Sequence, residues 1–225
     1  MVRTARTIVP EVSYHVTQRG NNRQDVFFVD NDRQAYLDIL KQEAKTYGLA
    51  VHGFCLMTNH IHAIVVPQDI QSVANAMGRT HFKYTQYINR LHGRSGHLWQ
   101  NRFYSCPLDD MHYIMAMKYI ERNPVRAKMT LRAWRWPWSS AAAHAGKGKD
   151  VSGILQLDEW NKQFDQAAWA RTLIEPDDEL HVELLRLRTR TGRPLGSDKF
   201  ISKLEAIAGR RLRPLTVGRP RKENK

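Results

Sequence analysis

The sequence has 225 residues, which is enough for one medium-sized domain with a tail or for two small domains. Its formal net charge of +13 favours a polyanionic partner, and we expect nucleic acid rather than an acidic membrane surface. No apolar run approaches the roughly 18 residues of a transmembrane helix, and residues 1–10 lack the apolar centre of a signal peptide. We therefore expect a cytoplasmic protein with no membrane partner. Cys55 and Cys106 stand alone, which argues against a disulfide framework or a cysteine-ligated metal.

Hydrophobic periodicity predicts alternating strands and helices over the first half of the chain. A strand at residues 12–17 leads into a polar loop, and a helix covers residues 30–48. Two β-rich runs, 49–57 and 61–66, fit adjacent antiparallel strands with a tight connection. The remaining predicted elements are a helix over 70–91, a strand over 98–105 and a helix over 109–122.

This order, β-α-β-β-α-β, predicts an α+β fold of the split βαβ (ferredoxin-like) type. In that arrangement an antiparallel sheet has helices on one face. After this unit the composition changes, and we divide the chain into a core domain at residues 1–145 and a linker and packing segment at 146–183. Residues 184–225 are rich in arginine and lysine and predict a basic helical C-terminal extension that binds DNA and is partly disordered.

The first candidate site is His60-Ile61-His62 at the start of a predicted strand. Side chains two residues apart project from the same face of a strand, so the two imidazoles can hold one metal ion while Ile61 points to the opposite layer. Two hydrogen-bonded strand histidines with a structural role are the alternative interpretation of the same pattern.

The second candidate site combines Tyr119 and Asn123 near the end of a predicted helix. Residues four apart lie on one helical face, so the phenol and an amide ligand to a metal can share a site. The alternative is a core tyrosine with Asn123 finishing the helix ahead of Pro124.

Three motifs occur in order along the chain: Thr58-Asn59-His60-Ile61-His62, Trp99-Gln100-Asn101-Arg102-Phe103 and Tyr119-Ile120-Glu121-Arg122-Asn123-Pro124-Val125-Arg126-Ala127. Together they resemble a REP-associated tyrosine transposase, a member of the HUH single-strand transposases with one catalytic tyrosine. The resemblance covers roughly residues 12–144 and makes residues 1–145 the catalytic domain.

The resemblance implies that Tyr119 is the catalytic nucleophile and that His60 and His62 ligate Mg²⁺ or Mn²⁺. It places Asn123 where a third ligand is expected, although better-known relatives have a glutamine there, which is longer by one methylene. Glu121 is the rival ligand. The implied function is metal-dependent cleavage and rejoining of single-stranded DNA at hairpins of palindromic repeats, through a 5′-phosphotyrosine intermediate.

The partner DNA would be single-stranded and hairpin DNA, contacted by basic side chains around the core and in the extension. The alternative function is a DNA-binding regulator that keeps the fold without cleaving. The sequence leaves a monomer and a homodimer equally open. The candidate DNA-binding residues are Arg19, Arg23, Lys83, Arg102, Arg126, Arg193 and Arg219.

Overall fold

The computed structural model describes residues 6–150 and 152–214, and its centre is a four-stranded antiparallel sheet. The strand order β2-β3-β1-β4 is that of the split βαβ arrangement, so the predicted fold class is confirmed. The strands are β1 (Ser13–Arg19), β2 (Leu49–Leu56), β3 (His60–Pro67) and β4 (Tyr104–Leu108).

The helices surround this sheet and continue well beyond the predicted core domain. They are α1 (Asp30–Thr46), α2 (Ser72–Leu91), α3 (Asp110–Glu121), α4 (Asn123–Arg126), α5 (Ala141–His144), α6 (Leu157–Gln163), α7 (Gln166–Thr172), α8 (Glu179–Thr191) and α9 (Asp198–Ala208). Among the described residues, no helix is both long and apolar enough to cross a membrane.

The strand predicted over residues 98–105 is shorter than expected, since β4 begins only at Tyr104. Residues 98–103 form a loop along the end of β1, where Trp99 makes a single bridge to Gly20 and the Gln100 N–H donates to the Arg19 carbonyl. Trp99 is buried in the core, so the apolar residues that suggested a strand pack from a loop instead.

The two helices of the split βαβ unit lie on one face of the sheet, as expected, and helices that follow this unit cover the other face. Helices α1 and α2 pack on one face, where Ile61 and Val65 of β3 join a core with Tyr36 and Tyr84. On the other face, α3 packs on all four strands, and α8 packs mainly on β4. Residues of β3 that point to this second face, including His62, therefore lie between the sheet and these later helices.

Close packing of α3 on the sheet depends on Gly53 of β2. A Cβ atom at this position would lie 2.3 Å from the sulfur of Met117 in α3, well inside the contact distance. Because glycine has no side chain, α3 approaches the sheet closely at this point. The position of α3 matters because Tyr119 lies on the same helix, two residues further along.

The boundary predicted between residues 183 and 184 falls inside α8. Val182 and Leu185 lie on either side of that boundary, and both are buried in the core on the second face of the sheet. The first part of the basic extension is therefore an integral layer of the fold, because its apolar residues share the helical face that packs on β4.

Both outer strands of the sheet are covered by later parts of the chain. Along β2, Cys55 bridges to Ser139 and Val51 bridges to Leu155. Along β4, Leu108 bridges to Leu195, whose N–H donates to the Pro107 carbonyl at 2.9 Å. Backbone groups of both sheet edges are thus paired with residues after the split βαβ unit.

Candidate active site

His60 and His62 lie on the face of β3 that contacts α3, with their ring centroids 5.0 Å apart. Ile61 points into the opposite core, as strand alternation predicts. The Nδ1 atom of His60 lies 2.6 Å from Asn59 Oδ1, and the Nδ1 atom of His62 lies 2.8 Å from His15 Nε2. Each histidine therefore contacts a neighbouring side chain through Nδ1, so Nε2 is the nitrogen that it would offer to a metal ion.

Burial favours the neutral form of both imidazoles. Burial, together with Arg19 and Arg126, lowers the pKa of His60 to about 3. Burial also lowers the pKa of His62 well below its ordinary value, and His15 and His60 act in the same direction. Because a metal ligand must offer a lone pair, neutral imidazoles are in the protonation state that ligation requires.

Tyr119 lies on α3 beside the histidine pair and is 6% exposed. Its ring makes an edge contact with His62 at a centroid separation of 5.5 Å. The hydroxyl accepts a hydrogen bond of 3.4 Å from Nε of Arg186 on α8, and the guanidinium of Arg126 lies 4.2 Å from the ring centroid. A single chain thus brings the predicted nucleophile and the histidine pair together.

Asn123 approaches the histidines from the start of α4 rather than from a continuation of α3. The single helical face expected for Tyr119 and Asn123 is interrupted because Pro124 has no N–H to donate and favours the first turn of a new helix. Even so, the Asn123 Nδ2 atom lies 3.2 Å from His60 Nε2. Asn123 therefore lies beside the histidine pair although it belongs to α4 and not to the helix that carries Tyr119.

A buried ion-pair network fixes α4 against α3. Asp177, which is 8% exposed at its side chain, accepts hydrogen bonds from Arg122 Nε at 3.2 Å and Arg126 NH1 at 2.9 Å. The other terminal nitrogen of Arg126 donates to the Tyr119 carbonyl at 3.1 Å and to Asn123 Oδ1 at 3.0 Å. Arg126 thereby connects the predicted nucleophile to the predicted third ligand.

Glu121 is directed away from the histidines into a separate buried network. Its Oε1 atom accepts hydrogen bonds from Ser140 Oγ and His144 Nδ1, both at 2.6 Å. Its Oε2 atom accepts from Trp169 Nε1 at 2.8 Å. These contacts occupy the carboxyl group of the rival ligand, which leaves Asn123 as the nearer candidate.

The residues of the site fit a divalent cation. Within the described ranges, no group of three or more histidine, cysteine, aspartate or glutamate side chains has a metal-holding arrangement. Asn123 is a side chain of another type that lies beside the histidine pair, with its Nδ2 atom 3.2 Å from His60 Nε2. A half-turn of the Asn123 carboxamide would turn its oxygen towards His60, but it would also place the amide NH2 group against the Arg126 nitrogen that now donates to Oδ1. Ligation by Asn123 therefore requires Arg126 to give up that hydrogen bond. Two imidazoles and an amide oxygen, completed by water, suit Mn²⁺ better than Mg²⁺, which prefers oxygen ligands alone.

Sequence reasoning missed three residues around the site: His15, Arg186 and Thr189. His15 shares the His62 face of the neighbouring strand, so the strand register would have identified it. Arg186 and Thr189 lie on α8, and no local pattern relates that helix to the histidines.

Three of the predicted DNA-binding arginines lie at the end of the sheet where His60 begins. Arg19 is the strand partner of His60, and the Arg23 carbonyl accepts a hydrogen bond from Asn59. Arg102 is exposed on the loop next to Asn101, whose carbonyl accepts from Gln18 at the end of β1.

The other predicted DNA-binding residues have different surroundings. Lys83 forms an ion pair with Glu43 between α2 and α1, on the opposite face of the sheet from the histidines. Arg126 belongs to the network with Asp177 described above. Arg193 is half-buried beside Cys106, and Arg219 lies outside the described residues.

The sequence identifies the class of protein. The family model described as "Transposase IS200 like" matches residues 8–123, which is more than half of the chain. The chain belongs to the IS200-like transposase family, a family of enzymes that cut and transfer DNA strands. Family membership confirms the transposase resemblance of the sequence.

One solved structure shows the same fold. The structure of a REP-associated tyrosine transposase bound to a REP hairpin is similar with a TM-score of 0.56 and 16% sequence identity, covering 70% of this chain and 90% of that one. A crystal structure from Deinococcus radiodurans of a protein assigned as a transposase has a TM-score of 0.39 and 21% identity, covering 54% and 97% of the two chains. No curated protein sequence matches significantly.

Proposed function

We propose that this transposase cleaves and rejoins single-stranded DNA at hairpins of palindromic repeats, using Tyr119 as nucleophile and a metal ion held by His60, His62 and Asn123. The observation that carries the proposal is the contact between the Tyr119 ring and His62 within one chain, at 5.5 Å between centroids. Tyr119 and the proposed ligand His62 are thus neighbouring side chains, as a nucleophile and a cation that act on one phosphate group have to be.

In the proposed reaction the Tyr119 oxygen attacks the scissile phosphorus, forming an O–P bond while the bond to the 3′ oxygen breaks. The phenol proton passes to solvent, and the departing 3′ oxygen takes up a proton to become a hydroxyl. Mg²⁺ or Mn²⁺ would offset the charge that develops on the non-bridging phosphate oxygens. The product is a 5′-phosphotyrosine, and attack on it by a 3′-hydroxyl reseals the strand without ATP because the phosphoester bond is conserved.

Two arginines are positioned to assist Tyr119 in this reaction. Arg186 donates to the phenol oxygen, and the same contact strengthens when the oxygen becomes negatively charged. Arg126 lies over the phenol ring and keeps Tyr119 and Asn123 in register through its hydrogen bonds. Arg186 is therefore proposed as a catalytic residue and Arg126 as a positioning residue.

The DNA would approach along the end of the sheet where His60 begins. The exposed Arg19, Arg23 and Arg102 lie there and can contact phosphates, in keeping with the net charge of +13. The similar solved transposase is bound to a REP hairpin, which supports a hairpin substrate for this chain. Arg193 and Arg219 remain predicted contacts of the basic extension.

A non-cleaving DNA-binding regulator is the alternative function. It would use the same fold and basic surface, but it would need neither the phenol oxygen nor the histidine pair. Formation of a covalent protein–DNA adduct distinguishes the two functions.

The test incubates the protein with Mn²⁺ or Mg²⁺ and hairpin repeats from its own genome that are labelled at the 3′ end, followed by denaturing electrophoresis. We expect a labelled protein band, and we expect no such band when EDTA is present during the incubation. After trypsin digestion, mass spectrometry should find the nucleotide on the peptide that contains Tyr119, released by cleavage after Lys118 and Arg122. Tight binding without an adduct, across repeats and both metals, would support the regulator instead.

Arg186→Gln is expected to slow adduct formation about tenfold, since a partly exposed charge-assisted hydrogen bond of about 1.4 kcal/mol would be lost from the transition state. Single-turnover kinetics at saturating DNA measure this rate. Arg190→Gln is the matched control, because Arg190 is an exposed arginine one turn further along α8. Equal slowing in both variants would attribute the effect to overall charge rather than to the contact with Tyr119.

A further inference from the structure

A chain of buried hydrogen bonds runs from β3 through β1 to α8. His15 Nε2 lies 2.8 Å from His62 Nδ1, and His15 Nδ1 lies 2.8 Å from the hydroxyl oxygen of Thr189. The exposed fractions of the three residues are 2% for His15, 6% for His62 and 2% for Thr189. The rings of His15 and His62 also stack, with centroids 5.0 Å apart and an interplanar angle of 15°.

Each contact in this chain holds one proton, so only two arrangements are consistent with neutral rings. In the first, His62 Nδ1–H donates to His15 Nε2, and His15 Nδ1–H donates to the Thr189 oxygen. In the second, the Thr189 hydroxyl donates to His15 Nδ1, and His15 Nε2–H donates to His62 Nδ1. Only the first arrangement leaves a lone pair on His62 Nε2, because in the second that nitrogen carries the proton.

The tautomer of His60 is set by a single neighbour, Asn59. Its Nδ1 atom faces Asn59 Oδ1, which can only accept, so the ring proton lies on Nδ1 and the lone pair on Nε2. The amide nitrogen of Asn123 donates to that lone pair. The Nδ1 atom of His62 faces a histidine nitrogen, which can either donate or accept. The tautomer of His62 therefore depends on whether His15 donates to Thr189 or accepts from it.

We propose that His15 and Thr189 are positioning residues that hold the proton of His62 on Nδ1 and so keep Nε2 available for the divalent metal ion. The inference rests on the proposed function, because it concerns the same metal site. Thr189 serves as the acceptor that ends the chain, and stacking of His15 on His62 fixes the orientation of the ligand ring. Outer groups of this kind fix the tautomer and orientation of metal-binding histidines.

The test compares Mn²⁺ affinity, measured by electron paramagnetic resonance of free Mn²⁺, in the full-length protein and two Thr189 variants. Thr189→Val keeps the shape but removes the acceptor, so the second tautomer becomes favoured and the affinity is expected to fall about tenfold or more. Thr189→Ser restores the hydroxyl and should bind Mn²⁺ as the wild-type protein does. The matched control is Thr80→Val, which removes a fully buried hydroxyl that bonds to the Ala76 carbonyl in α2, far from the histidines.

A second readout reports the tautomer without any metal. Long-range ¹H–¹⁵N spectra should place the His62 proton on Nδ1 in the wild-type protein and on Nε2 in Thr189→Val. Unchanged Mn²⁺ affinity and an unchanged tautomer in Thr189→Val would overturn the inference. If the wild-type protein binds no Mn²⁺, the proposed metal site is wrong. The spectra would then still show whether Thr189 controls the tautomer of His62.

Discussion

Tyr119→Phe is expected to abolish the covalent DNA adduct, lowering its yield below the detection limit of a labelled gel. The substitution removes only the hydroxyl oxygen, which is the atom that would attack the phosphate. The phenyl ring keeps its edge contact with His62 and its place beneath Arg126. Hairpin binding, measured by fluorescence anisotropy, should therefore remain within about twofold of the wild-type affinity.

Tyr113→Phe provides the matched control for this experiment. Tyr113 lies on the same helix, α3, and its hydroxyl contacts His52 Nδ1 at 3.2 Å, away from the His60–His62 pair. This variant should form the adduct at the wild-type level. An adduct that persists in Tyr119→Phe would exclude Tyr119 as the nucleophile and with it the proposed reaction.

Glu121→Ala is expected to lower the free energy of unfolding by about 3 kcal/mol or more, measured by urea denaturation. The carboxyl group accepts from Ser140, His144 and Trp169, and its own exposure is 0%. Removing it leaves three buried donors without their acceptor and creates a cavity. The network also links α3 to α5 and α7, so the loss affects the packing of all three helices.

Two further variants separate this structural effect from metal ligation. Glu121→Gln keeps the shape and one acceptor oxygen, so it should lose less stability and bind Mn²⁺ normally. Glu183→Ala removes an exposed glutamate on α8 and should leave stability within about 0.5 kcal/mol of the wild-type value. A Glu121→Gln protein that is fully stable but fails to bind Mn²⁺ would restore Glu121 as a ligand.

The part of the site built from local patterns could be predicted from the sequence. His60 and His62 share a face because side chains alternate along a strand, and their position after a short connection follows from the paired β-rich runs. The strand order followed from the order of the elements and the split βαβ arrangement. Family resemblance supplied the role expected for Tyr119, which the helix periodicity alone left open.

The remainder depended on contacts between distant parts of the chain. His15 and Thr189 are separated by 174 positions, and no periodicity relates a strand to a helix across that distance. The family match ends at residue 123, before α8, so the segment with Arg186 and Thr189 lies outside it. The position of Asn123 also depended on tertiary structure, because the ion pairs of Asp177 determine where α4 lies after the helix break.

The covered outer strands restrict how two copies of this transposase can associate. An open sheet edge invites a strand from another molecule, and β2 and β4 are the edges at which such pairing would occur. The bridges from Ser139 and Leu155 to β2, and from Leu195 to β4, would have to be displaced first. A continuous β-sheet that runs from one molecule into the next is therefore disfavoured. The residues that cover the two edge strands also protect the protein from aggregation by strand pairing.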